Sequence, residues 1–216
     1  MTAAMQPWMK IALVAGALLG VAGVVRWQAA RHFVSEPPYR LLRRLAPDVE
    51  LRAYAPAVLA ETRVEAAWDD APSPAFRRLA GYLFGGNVAP ARRAGGDDAT
   101  GGESLAMTAP VSQRTEQGAQ VVAFFMPEGR DLGSLPVPRD PRVALREVPA
   151  RTVAVLSYAG SARQADLDAQ ASRLRGVLDR AGLERLGEPT SARYDPPTTL
   201  PWLRRNEVWW EVRSAE

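Results

Sequence analysis

The chain has 216 residues, no Cys and one His, with a formal net charge of +3, 47% hydrophobic residues and 24% charged residues. Without Cys there is no disulfide, thiolate nucleophile or Cys-based zinc site. A single His excludes His-rich metal centres and paired His catalysts. Setting aside Lys10 and Arg26 leaves 25 basic against 24 acidic residues, so the rest of the chain is nearly neutral. No nucleic-acid partner is expected from that balance. Lys10 is the only Lys, a usage that fits a GC-rich genome.

Residues 11–25 (IALVAGALLGVAGVV) are apolar without a break, with Trp8 and Trp27 close outside. The run approaches spanning length once its flanks are counted, and the Trp residues suit the interfacial level. It reads as an uncleaved N-terminal membrane anchor, with a cleaved secretory signal as the rival. Residues 28–47 are polar and contain Pro37, Pro38 and Pro47. They read as a stalk, and the lone His32 lies on it as a solvated residue. The expected organisation is therefore anchor or signal at 1–27, stalk at 28–47 and domain at 48–213. The domain is expected on the extracytoplasmic side of the membrane, as a monomer.

Within the domain, residues 58–65 alternate: Val58, Ala60, Thr62 and Val64 share one face, and Leu59, Glu61, Arg63 and Glu65 the other. That is the pattern of a half-buried strand. Ser73-Pro74 predicts a helix start, Phe76, Leu79, Ala80 and Leu83 recur at helical spacing, and Gly85-Gly86 ends the helix. Residues 86–104 are a Gly-rich loop without a phosphate-binding order of glycines. Residues 120–126 (QVVAFFM) predict a strand that is apolar on both faces, and a Pro-rich crossing follows over 127–141.

The chain then repeats itself. Val49, Leu51, Arg52 and Ala60 coincide at one offset with Val143, Leu145, Arg146 and Ala154. The second helix is predicted over 164–181, with Leu167, Ala171, Leu174, Val177, Leu178 and Ala181 as its apolar stripe. A last strand is predicted over 207–212. Two α+β halves sharing one core follow from this order.

No catalytic constellation stands out. Glu61 and Glu65 lie on one strand face, where two carboxylates close together can share a proton. A small-molecule hydrolase using Glu61 or Tyr82 is one alternative reading, and a non-heme-binding scaffold at the membrane is another. For binding, residues 105–111 and 194–209 are unlike ordinary loops. Tyr194 and Trp202 offer stacking faces, and Arg204 and Arg205 offer bidentate contacts to carboxylates.

Three ordered motifs carry a family resemblance. Tyr194-Asp-Pro-Pro with Arg-Arg-Asn-Glu-Val-Trp at 204–209, Ala-Met-Thr-Ala-Pro-Val at 106–111, and the helix end at 76–87 resemble the SOUL/heme-binding protein family over about residues 47–213. The resemblance implies a distorted antiparallel β-barrel flanked by two α-helices. It implies a binding protein rather than an enzyme, with heme or a free porphyrin as ligand, in a shallow apolar groove beside the first helix and without a His axial ligand. On this chain the groove residues implied are Phe76, Arg77, Arg78, Leu79 and Leu83 on the helix, with Tyr194, Trp202, Arg204 and Arg205 on the opposing loop. Gly81 stands where the family has a basic residue. Met107, Met126 or a Tyr is the remaining choice of iron ligand, although Met107 also reads as a core filler.

Overall fold

A computed structural model describes residues 34–90 and 102–213. The expected anchor, His32 and most of the Gly-rich loop lie outside the described residues. Among the described residues no helix is long and apolar enough to cross a membrane.

The described chain begins with the hairpin β1 (Tyr39–Ala46) and β2 (Val49–Tyr54), then β3 (Ala57–Val64) and α1 (Pro72–Leu83). β4 (Asn87–Val88), the hairpin β5 (Val111–Glu116) and β6 (Ala119–Phe125), and β7 (Val137–Pro138) follow. The second half runs β8 (Val143–Val148), β9 (Arg151–Ala159), α2 (Gln164–Arg180), β10 (Arg185–Arg193), a 3-10 turn at Pro201–Leu203 and β11 (Arg205–Val212). Nine strands form one sheet in the order β1-β2-β9-β11-β10-β5-β6-β3-β8, and β4 pairs with β7. All the pairs are antiparallel.

This order contains the sequence repeat. Reading outward from the β10–β5 pair, β11-β9-β2 on one side matches β6-β3-β8 on the other. Each half lends its first strand to its neighbour: β2 pairs with β9, and β8 pairs with β3. The two halves are thus interlocked rather than side by side.

The antiparallel sheet and the two helices are as expected, but the distorted barrel is not closed. Among the described residues β1 and β8 are the two edges of the large sheet, and no ladder joins them. The sheet still curls. Residues of β8 and β9 line one cavity, although six strand positions separate them, about 29 Å in a flat sheet. The structure is an open trough with α1 and α2 on its outer side.

β1 corrects the expected stalk, because residues 39–46 are sheet. Six of its eight residues are exposed, so backbone bonding to β2 holds it and hydropathy gives no signal. Arg40, Arg43 and Arg44 on this edge discourage further strand pairing.

α1 begins two residues earlier than Ser73-Pro74 implies. Its N-cap is Ala71, without a side-chain hydrogen bond, and Pro72 occupies the first helical position, where a preset φ helps and a missing N–H costs nothing. Ala75, Leu79, Tyr82 and Leu83 pack onto Val58, Ala60, Val122 and Phe124. The helix ends at Gly85, whose φ of 101° suits Gly alone, and the Gly86 amide donates to the Gly81 carbonyl at 2.8 Å. Buried Asn87 then donates to the carbonyls of Tyr82 (2.6 Å) and Glu103 (2.9 Å), and accepts from the Glu103 amide at 2.8 Å. One side chain thereby ties both ends of the Gly-rich loop to the helix.

α2 buries Leu167, Ala171, Leu174, Val177 and Leu178 against Val49, Leu51, Ala154, Leu156, Val208 and Trp210. The opposite side of the sheet has its own cluster, centred on Leu59, Phe125, Val153, Val155 and Trp209.

Candidate functional site

Residues 76, 77, 80, 81 and 84 share the outer face of α1 by helical periodicity. Phe76 is 42% exposed and Phe84 62%. Ala80 and Gly81 lie between them, and no atom stands within 4 Å of where a Cβ at Gly81 would be. The surface between the two Phe residues is therefore low and apolar. Phe76 is fixed from below, its ring edge-on to buried Phe124 at 5.5 Å.

Beside this face lies a cleft of about 340 Å³ whose charged lining is Arg77, Arg78, Arg139, Arg142 and Asp140. Arg78 donates to the Arg63 carbonyl at 3.0 Å, and Arg139 to the Asn87 carbonyl at 2.9 Å. Arg142 grips Asp140 through two bonds, of 2.9 and 2.7 Å. The hydrogen bonds from the Arg142 side chain and amide hold the Asp140 carboxyl down at about 2. Four guanidinium groups face one carboxylate, so the cleft suits a ligand with acidic groups. Arg139 and Arg142 were missed in the sequence; the Arg-Asp-Pro-Arg cluster at 139–142 was the available signal.

Two of the expected groove residues are core instead. Leu79 and Leu83 are 0% and 1% exposed and face the sheet, so a ligand on the outer face does not reach them. Helical spacing identified the apolar residues of α1 but not which side each one took.

The loop at 194–205 also differs from expectation. The Tyr194 hydroxyl donates to Glu207 at 2.6 Å, and the Arg205 guanidinium lies 3.7 Å over the Tyr194 ring while pairing with Glu36 and Glu207. Arg204 closes its own loop by donating to the carbonyls of Thr199 (2.7 Å) and Pro197 (2.6 Å). Tyr194, Arg204 and Arg205 are thus committed within the protein. Trp202 is 69% exposed on the 3-10 turn. No residue of this loop lines the α1 cleft.

Glu207 organises the other end of the trough. It is fully buried and accepts from Arg52 at 3.2 Å, from the Trp209 indole at 2.7 Å and from Ser157 at 3.3 Å, besides Tyr194 and Arg205. Burial pushes its carboxyl up, but Arg52 and Arg205 with these donors outweigh burial and hold it below its ordinary value. Burial pushes the hydroxyl of neighbouring Tyr54 up to about 12 and that of Tyr194 well above its ordinary value.

Glu61 and Glu65 do not share a site. Glu61 pairs with Arg114 (3.3 Å) and Arg146 (3.0 Å), whereas the Glu65 side chain is 79% exposed. The Tyr82 hydroxyl is buried and donates to the Pro136 carbonyl at 3.0 Å. Met107 is not core: it is 38% exposed, whereas Met126 is 6% exposed. The Thr108 hydroxyl beside Met107 donates to the Phe125 carbonyl at 2.6 Å, which fixes the segment by its Thr and leaves the Met outside. Among the described residues no three Asp, Glu or His are placed to hold a metal ion.

The family model described as SOUL heme-binding protein matches residues 34–211. Mouse Heme-binding protein 1 is 35% identical over 115 residues, which are 50% of this chain and 60% of that protein. Heme-binding protein 1 of Sus scrofa is 39% identical over 74 residues, 34% of this chain and 39% of that protein. These matches span less than two thirds of the relatives' lengths. An uncharacterized conserved protein from Listeria innocua, known from its crystal structure, has a TM-score of 0.53 at 11% identity, over 77% of this chain and 92% of its own. That likeness concerns the fold alone.

Proposed function

The chain belongs to the SOUL heme-binding protein family, and from that premise we propose that it binds heme or free porphyrin on the outer face of α1. The observation that carries this reading is the low apolar strip over Ala80 and Gly81, bounded by Phe76 and Phe84, with Arg77 and Arg78 at its side. The macrocycle lies flat on the strip. Its carboxylates face Arg77 and Arg78, with Arg139 and Arg142 across the cleft. Gly81 takes on meaning here: a basic side chain is lost, and close approach of a flat ring is gained.

Affinity comes from surface burial. Removing about 300 Å² of apolar surface from water is worth about 7 kcal/mol before the costs of association. Micromolar binding needs about 8 kcal/mol net, so the Arg–carboxylate pairs matter. The ring is bound and released, for carriage or buffering, without redox or oxygen chemistry. The apolar run at 11–25 supports an arrangement in which the domain is held at a membrane, and in this reading the domain lies on the extracytoplasmic side.

The test is a titration of the full chain in lipid nanodiscs with hemin and with iron-free protoporphyrin IX, against empty nanodiscs. Saturable Soret shifts below tens of micromolar are expected for both, with affinities within a few-fold, because no His supplies an iron bond. The absence of a saturable shift overturns the reading.

A further inference from the structure

Alternation along β3 separates two sides of the sheet. Val58, Ala60 and Val64 belong to the α1 core, whereas Leu59 and Glu61 face the inside of the trough. The Glu207 network fills one end of that trough. The other end holds a cavity of about 590 Å³, a size typical of small-molecule sites.

Leu59, Phe125, Val153 and Trp209 give this cavity its apolar lining, and Arg114, Arg146 and Arg151 reach into it. Arg114 and Arg146 are taken up by Glu61, and Arg114 also by Glu116 at 2.7 Å. Arg151 is different: its side chain makes no hydrogen bond or ion pair with any described residue. It is partly buried, and burial pushes its pKa down against the pull of Glu211. Glu188 and Glu211 line the cavity as exposed rim residues, where water and salt screen them. Glu116 is a third exposed lining carboxylate, so among the less exposed groups the cavity sets Arg114, Arg146 and Arg151 against Glu61. The Trp209 indole N–H is already given to Glu207, so its ring offers a face rather than a donor.

A guanidinium held out of water beside apolar walls recognises a carboxylate, through two parallel hydrogen bonds. We propose that this cavity is a second ligand site, for an aryl or alkyl monocarboxylate whose acid group meets Arg151 and whose body lies against Trp209 and Phe125. It is on the opposite side of the sheet from the outer face of α1, so it does not rest on the tetrapyrrole reading.

Isothermal titration of the full chain tests it with three probes of one shape: 2-naphthoate, 2-naphthamide and 2-naphthylmethylammonium. Naphthoate is expected to bind at least tenfold tighter than the amide, with the ammonium probe weakest. Arg151→Leu removes no bond to the protein and is expected to erase that preference, while Arg151→Lys keeps part of it. Saturation with hemin is expected to leave the naphthoate isotherm unchanged. Equal or tighter binding of the ammonium probe, an unchanged preference in Arg151→Leu, or displacement of naphthoate by hemin overturns the proposal. Should Arg151→Leu fail to fold, the ratio of naphthoate to amide in the unaltered chain decides.

Discussion

The two helices occupy equivalent places in the interlocked halves, and their inner faces are alike. Leu79 of α1 and Leu174 of α2 are both 0% exposed and packed on the same side of the sheet. Their outer faces differ. α2 presents charge to water and largely neutralises it: Arg173 pairs with Asp48 at 2.5 Å, Asp179 with Arg185, and Asp168 accepts from Gln164 at 2.8 Å. No large apolar side chain of α2 is exposed. α1 has no acidic residue within its twelve, and shows Phe76, Ala80, Gly81 and two arginines. An exposed apolar strip weakens solubility and adds nothing to the core. Its presence on one helix and absence from the equivalent one shows that the fold does not require it, and this supports the proposed ligand surface on α1.

The largest expected effect tests the inner-face likeness. Leu79→Ala and Leu174→Ala should each cost about 3 kcal/mol in denaturant unfolding, as buried Leu truncations do. A cost below 1 kcal/mol at either site would break the symmetry of the two cores.

Next comes Glu207, whose removal takes from buried Arg52 one of its two carboxylate partners and leaves it Glu50 at 2.9 Å. Glu207→Ala should cost about 3 kcal/mol, because a buried ion pair is broken and the Trp209 and Tyr194 donors lose their acceptor. The pH dependence has a definite sign. The folded carboxyl lies below its ordinary value of 4.5, so its contribution is complete above about pH 4.5 and is lost as the pH falls through the lowered folded value. The unaltered chain should lose stability below pH 4.5 more steeply than Glu207→Gln in thermal melts. Parallel acid profiles would contradict the assignment.

The outer faces are compared at smaller energies. Arg77→Glu should weaken hemin binding about tenfold, roughly 1.4 kcal/mol, whereas Arg173→Glu on α2 should leave it unchanged. Equal effects would remove the distinction between the helices. The smallest effect separates fold from function at one position. Gly81→Leu puts a better helix former into open space, adding up to about 1 kcal/mol of stability. The same side chain fills the low strip and should weaken hemin binding several-fold. Unchanged binding in Gly81→Leu would place the ring elsewhere.

The parts of this molecule that were legible in the sequence are those with strong local periodicity. Alternation at 58–65, the stripe of α2 and the coincidence of Val49 and Arg52 with Val143 and Arg146 led to the right elements and to two related halves. β1 was not legible because an edge strand bound by its backbone leaves its side chains in water. The openness of the sheet was not legible either, since it depends on whether β1 meets β8, a contact between distant residues. In the candidate site, Phe76, Arg77 and Arg78 came from the family resemblance, and Phe76 and Arg77 lie exposed on α1 with Arg78 at the cleft beside it. Leu79 and Leu83 were not assignable to a side before the sheet beneath α1 was known. Tyr194 and Arg205 look like ligand contacts in one dimension, because their partner Glu207 becomes a buried acid only once β11 lies between β9 and β10.

The most direct test of the central claim is an NMR map of the ferric heme complex of the full chain in nanodiscs. Paramagnetic broadening should be confined to residues 72–84 and 139–142, with α2 and the trough-lining residues Phe125, Arg151 and Trp209 unaffected. Broadening centred on 164–180 or on the trough, with α1 left sharp, would contradict it.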